Sequence, residues 1–353
     1  MTTSGQLTEI KSISLRSALV GETVELLKEE DMSCLVTQEG IPDLISQLLH
    51  YEEEGKSLYP EIYILDDMDV VEKVLSNSQF CAIGSGDRSQ KTMLKALKKC
   101  APLAVDGWAI YIHRTAAGLK YGVFRAGTSL VSVPISNVLI DPTNAGVKVI
   151  LIHPLSKKLI EVRSVSANPI LVNYGGQVDL EHSPLDNQMH FIETIVERVR
   201  PSLKDPTRNF LSRVFLNVLK NGHGTLACVI PATRGDLPVK LRDGISLDKR
   251  LNIPAAVDDL LSIDDLQSNA NLQGQFSLLT GMMQSDGITV FTDKGEVASY
   301  NVFVKHPKNL EGGKTDGGAR SRSYLTLCRM INNGIRSAYI QSQDGEIRFS
   351  DGK

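Results

Sequence analysis

The pattern of apolar and polar positions changes character several times along this chain, and each change marks a piece of its organisation. In residues 23–30 and 41–51 apolar side chains return every three to four positions, the spacing of an amphipathic helix. Residues 61–65 read as a short strand and 70–75 as helix again. Gly84-Ser85-Gly86 breaks the chain before a basic helix at 89–99. From Trp108 onward the pattern becomes strand-like. Residues 108–112, 121–124, 147–152 and 159–165 read as strands separated by Gly, Pro and Asn turns, with Trp108 and Tyr111 on opposite faces of the first. Helices return at 189–199 and 209–220, the second expected to start at Asp205-Pro206-Thr207.

Past Gly224 the chain reads as a buried strand at 225–230, a helical region at 255–283, and a hairpin of 288–292 and 297–304 turning at Lys294-Gly295. A glycine-rich loop at 312–318 leads into a helix at 321–332. A last hairpin, 338–341 and 347–349, turns at Asp344-Gly345. These elements predict a mixed α/β (α+β) protein. Residues 1–200 form an α/β plus β-rich region, with a candidate subdivision into 1–100 and 101–180. Residues 201–222 form a helical connector, and 223–353 a domain with a mixed central sheet flanked by helices.

Composition narrows the function classes. With 353 residues the chain is long enough for two cores. A net charge of −3 argues against nucleic-acid binding by bulk electrostatics, though two or three local cations suffice for a small anion. The five cysteines have no short-spaced pairs, which suits a reducing cytoplasm. Residues 1–11 lack an apolar signal core, and the longest apolar stretches are too short for a bilayer, so no membrane partner is expected. The seven histidines, His113, His153 and His223 among them, have no metal-ligand spacing. Gly84 to Thr92 fails as a P-loop because Gln90 stands where glycine is required. The run Glu52-Glu53-Glu54 reads as solvated helix surface.

The candidate chemistry lies near the C-terminus. Asp286-Gly287 stands at the mouth of a predicted buried hairpin, where a carboxylate needs a metal or a cation beside it. Gly318-Ala319-Arg320-Ser321-Arg322 opens a helix. A glycine there admits close backbone approach, the first turn presents free N–H groups, and two guanidinium forks match phosphate oxygens. Together they suit a metal-bound nucleotide triphosphate.

Five landmarks in order, over residues 210–352, resemble the catalytic domain of the diadenylate cyclase family. They are Gly224-Thr225-Leu226-Ala227, Gly244-Ile245-Ser246-Leu247-Asp248, Asp286-Gly287-Ile288, Gly318-Ala319-Arg320-Ser321-Arg322 and the closing hairpin around Asp344-Gly345-Glu346-Ile347. The resemblance implies a nucleotidyltransferase that condenses two ATP into cyclic di-AMP, a bacterial second messenger, with Mg²⁺ or Mn²⁺. It implies a homodimer or higher homo-oligomer through facing domains, and control by the N-terminal region. It assigns Asp286 to the metal and to activating the attacking 3′-hydroxyl, and Arg320 and Arg322 to the phosphates. Gly287, Gly318, Ala319, Ser321 and Thr315 then line the nucleotide. The chain departs from the family pattern at three positions. Ser321 replaces the histidine between the arginines, Ala319 the threonine before them, and Ile288 the alanine after Asp-Gly. These departures leave a second reading open, a domain that binds a nucleotide or cyclic dinucleotide without turnover. Ser323, Lys314 and Thr315 are the candidates to replace the lost contacts.

Overall fold

Non-local pairing decides the architecture of the first half. The computed structural model describes residues 15–75, 77–127, 129–143, 146–174, 184–221, 224–233, 237–305, 318–342 and 346–352. After helices α1 (Leu15–Glu29) and α2 (Leu35–Leu48), a two-stranded ribbon of β1 (Glu52–Glu53) and β2 (Lys56–Ser57) turns through Glu54 and Gly55, both at positive φ. The acidic run is therefore exposed, as expected, but on a hairpin and not a helix. Then come β3 (Ile62–Leu65), α3 (Met68–Val74), β4 (Gln79–Gly86), α4 (Gln90–Cys100), β5 (Ala109–Arg114), β6 (Leu119–Arg125), α5 (Ile135–Leu139), β7 (Val149–Ser156), β8 (Leu159–Ser164) and β9 (Ile170–Asn173).

Seven of these strands form one mixed sheet in the order β4-β6-β5-β3-β7-β8-β9, in which only β3 and β5 run parallel. β3 lies between β5 and β7, so the sheet does not divide near residue 100. Alternation assigns its two faces. Ile62, Ile64, Ile110, Ile112, Ile150 and Ile152 pack under α1, α2 and α4, while Tyr63, Tyr111, Phe124 and Leu151 face α3 and α5. Trp108 and Tyr111 fall on these opposite sides, as the sequence predicts. Gly84 and Gly86 do not break the chain. They lie in β4, where a Cβ would come within 2.7 Å of the Tyr121 hydroxyl oxygen and of Thr92 Oγ1 respectively. Ser89 caps α4, its Oγ accepting from Thr92 N at 3.2 Å.

The second half contains α6 (Pro184–Ile195), α7 (Pro201–Lys220), β10 (Thr225–Ile230), β11 (Ile245–Asn252), α8 (Ile253–Ile263), α9 (Leu266–Met283), β12 (Ile288–Thr292), β13 (Glu296–Val302), α10 (Ala319–Cys328), β14 (Ser337–Gln341) and β15 (Ile347–Ser350). Its sheet runs β11-β13-β12-β10-β14-β15, with β10 and β12 parallel and the other pairs antiparallel. One face, carrying Ala227, Val229, Phe291 and Tyr339, packs against α6–α9; Phe191 of α6 stacks on Tyr339 at 4.9 Å. The other face, carrying Leu226, Cys228, Val290 and Ile340, is covered by Tyr324 and Leu327 of α10. The chain is thus a mixed α+β fold, with the C-terminal sheet flanked by helices on both sides.

Several helix boundaries differ from expectation, three of them instructively. α7 begins at Pro201, where a missing N–H costs nothing, and Pro206 lies inside it. The region 255–283 is two helices, because Asp264 turns left-handed and Asp265 caps α9 by accepting from Ser268 N at 2.7 Å. α10 ends at Cys328 and not near residue 332. Besides packing on the second sheet, α7 meets Val131, Leu155 and Leu159 of the first half in one apolar cluster. Among the described residues no helix is long and apolar enough to cross a membrane.

Candidate functional site

Three hydrogen bonds fix the turn that carries Asp286. Ser285 Oγ donates to Met282 O at 2.7 Å, Thr289 Oγ1 to the same oxygen at 3.3 Å, and Thr225 Oγ1 to Met283 O at 2.6 Å. α9 is thereby stopped and the chain redirected into β12. The Asp286 side chain emerges 89% exposed, so its carboxylate is not the buried group the sequence suggested. A cation does stand beside it: Arg320 Nη2 donates to Asp286 Oδ1 at 3.1 Å, from 34 residues away.

Gly287 is explained by packing. A Cβ there would collide with the Asn301 backbone and lie 2.6 Å from Val302 N. Asn301 is left-handed, at φ 53°, in the irregular stretch where β13 pairs with β12. On the other side of the same segment, a Cβ on Gly244 would come within 2.8 Å of Val302 Cα. Two of the five landmarks, Gly244-Ile245 and Asp286-Gly287, therefore converge on Asn301 and Val302.

Gly318 is the N-cap residue of α10, extended at ψ −176°, and makes no side-chain cap. Among the described residues no atom lies within 4 Å of where its Cβ would stand, so their packing does not require glycine here. Gly318 and Ala319 are exposed, which opens the first-turn amides of α10 to an anion. Arg320 turns to Asp286, whereas Arg322 follows two positions on, about 200° around the helix, and is exposed. The arginines do not project to one place, as the sequence reading supposed. Between them, the half-buried Ser321 accepts a long hydrogen bond of 3.4 Å from Arg348 Nη2 on β15.

Sequence reasoning missed Arg348. Its guanidinium carbon lies 5.2 Å from the centre of the Tyr324 ring, one turn along α10, and its Nε is 3.3 Å from Glu346 Oε1. The available signal was the alternation Ile347-Arg348-Phe349. Ile347 and Phe349 join the core beneath α6, which sends Arg348 to the α10 face. Thr315 and Lys314, candidates for phosphate contacts, lie outside the described residues, as do most of the glycine-rich loop and the turn at Asp344-Gly345.

No family model and no curated protein matches this chain.

Among the described residues no three His, Cys, Asp or Glu side chains are grouped to hold a metal ion. Asp286 alone does not make a cation cage. One exposed carboxylate does fit the way Mg²⁺ is bound beside polyphosphates, through one or two carboxylates with the remaining ligands from phosphate and water. The residues thus fit a cation that arrives with its ligand.

Asp286 sits where β12 begins, whereas ligands in open sheets usually bind beyond the carboxyl ends of parallel strands. At that other end stands a buried acid–arginine pair. Asp293, fully buried just after β12, accepts from Ala232 N at 2.9 Å through Oδ1 and pairs with Arg336 Nε at 3.1 Å through Oδ2. Its backbone N–H donates to Ile230 O at 3.1 Å, tying the end of β10 to the same turn.

Proposed function

We propose that the C-terminal half of this chain is a nucleotidyltransferase of diadenylate cyclase type, condensing two ATP into a cyclic dinucleotide under the control of the N-terminal half. The observation that carries this reading is the Asp286–Arg320 contact of 3.1 Å, which joins two of the family-like landmarks at the uncapped start of α10.

Each chemical step forms a bond from the 3′-oxygen of one ATP to the α-phosphorus of the other, breaks the bond to pyrophosphate, and releases the hydroxyl proton. When bound, the Mg²⁺ or Mn²⁺ neutralises phosphate charge and favours loss of that proton. Asp286 holds the cation and orients the hydroxyl. Arg320, released from Asp286 as the ligand enters, binds phosphate oxygens, and the first-turn amides of α10 receive the charge that builds on the leaving pyrophosphate. Arg322 serves the outer phosphates or those of the facing copy. One site holds one ATP, so turnover needs two copies face to face, which makes a homodimer part of the reading along with a cytoplasmic setting.

The test is incubation of the purified chain with ATP and Mn²⁺, read by mass spectrometry. A cyclic dinucleotide is expected, and Asp286→Asn abolishes it. Absence of product from all four ribonucleotides at high protein concentration overturns the enzyme reading. A receptor that binds without turnover is favoured by Ala319 and Ser321, which offer the phosphates less than the family's threonine and histidine. Calorimetry showing tight binding of a nucleotide or cyclic dinucleotide, with no consumption, would select it. Unchanged binding in Arg320→Ala would remove it.

A further inference from the structure

We infer that Arg348 is a third phosphate-binding guanidinium of this site, contacting the polyphosphate beside Ser321. The inference rests on the nucleotide-binding reading above and adds a residue from an element that none of the α10 or Asp286 landmarks includes. Arg348 reaches α10 from β15, 27 positions beyond Ser321, and places Nη2 3.4 Å from the Ser321 hydroxyl oxygen. That hydroxyl belongs to the first turn of α10, next to Arg320, whose own fork lies 3.1 Å from Asp286. Two contacts thus meet at the first turn of α10, Asp286 with Arg320 and Arg348 with Ser321, on residues adjacent in the chain.

Three features fit an anion partner. The guanidinium lies over the Tyr324 ring at 5.2 Å, which orients its plane without consuming its N–H groups. Of its five N–H donors, the Ser321 and Glu346 contacts engage two, and both are long, at 3.4 Å and 3.3 Å. The side chain is also 43% exposed, open to a ligand arriving from solvent. Glu346, 66% exposed, is the carboxylate a phosphate would displace. Ser321 is too short to supply a charge itself. It places its hydroxyl where Arg348 can supply one.

The experiment measures binding of ATP, ADP, AMP and inorganic tripolyphosphate, each with Mn²⁺, to the full chain and to Arg348→Gln, Arg348→Lys and Arg320→Ala. Arg348→Gln is expected to weaken ATP and tripolyphosphate at least tenfold, since charge-assisted hydrogen bonds are lost, and to weaken AMP much less. Arg348→Lys, which keeps the charge but loses the fork, should fall between. A purely structural role would weaken all three nucleotides alike, and that result overturns the proposal. So does ATP binding within twofold of wild type in Arg348→Gln while Arg320→Ala is impaired, an outcome that leaves the nucleotide site standing. If the wild-type chain binds neither ATP nor tripolyphosphate, both readings fall together. Should Arg348→Gln not fold, the Lys variant decides the matter by the same ATP-to-AMP ratio.

Discussion

Replacing His153 with glutamine tests the charge cluster that joins the first sheet to α7. His153 is 3% exposed, with Nε2 3.3 Å from Glu61 Oε1 and Nδ1 3.7 Å from Glu161 Oε2. Glu61 also accepts from Lys220 Nζ at 3.2 Å and from the Tyr63 hydroxyl at 3.1 Å. Arg213 of α7 faces Glu61, and Arg163 of β8 faces Tyr63. With both ring nitrogens turned to carboxylates, the imidazole matches its surroundings only when both carry protons. Burial pulls the His153 pKa down, but Glu61 and Glu161 outweigh it and hold it above its ordinary value. Burial likewise pushes Glu61 up, and Lys220 and His153 more than reverse that, leaving its carboxyl well below the usual range. A raised histidine stabilises the fold fully below its unfolded pKa of 6.5, and that contribution fades as pH rises through the folded value. The lowered Glu61 contributes above 4.5 and is lost as pH falls through its folded value, so the cluster works best between the two unfolded values.

Removing one member of a buried ion cluster costs about 3–5 kcal/mol, and because glutamine keeps an amide donor beside the carboxylates, the expected loss for His153→Gln is near the lower figure. Urea unfolding at about pH 6 and about pH 8 separates the two effects. Wild type should lose at most about 1.4 kcal/mol per pH unit to this one proton, and the variant should lack that component of the slope. The other six histidines cancel in the comparison. Equal slopes in both proteins, or a loss under about 1 kcal/mol near pH 6, would refute the argument.

Three further outcomes follow from the second sheet. Asp293→Ala leaves Arg336 and the Ala232 amide without their buried partner and should destabilise the chain by about 3–5 kcal/mol in denaturant melts. Gly287→Ala forces a Cβ into the Asn301 backbone and should cost about 1–3 kcal/mol. Gly318→Ala meets no atom among the described residues, so its stability should stay within about 0.5 kcal/mol of wild type, and a loss of ATP binding there would report on the ligand.

Local signals were legible in this sequence and long-range ones were not. The hairpin of β12 and β13 could be read because the apolar strand is followed by Gly295, whose φ of 77° suits the turn. The shared first sheet could not. β3 is buried at all four positions, so it has no alternation to indicate a face or neighbours, and its partners lie about fifty and ninety residues later. Pro206 misled because proline in a first turn and proline just inside a helix give the same local signal, and Pro201 supplied the true start. Asp293 read as an ordinary turn residue, since only the tertiary approach of Arg336 reveals that it is buried. The candidate site divides in the same way. Asp286 and Arg320 were visible as motifs, while Arg348 became visible only once β15 was laid beside α10.

The resting pair of Asp286 and Arg320 looks at first like an obstacle to the proposed chemistry, because it occupies the carboxylate meant for a cation. Its exposure removes the objection. With Asp286 89% and Arg320 29% exposed, the contact resembles other surface ion pairs, worth about 0–1 kcal/mol. A triphosphate carrying its own divalent cation offers each partner a stronger one, carboxylate to metal and guanidinium to phosphate. The exchange costs little, and until then the pair holds both side chains within reach of the α10 amides. The contrast is Asp293 with Arg336, where a fully buried carboxylate makes a comparable exchange expensive. Of the two acid–arginine contacts at opposite ends of β12, the proposed chemistry asks only the exposed one to open.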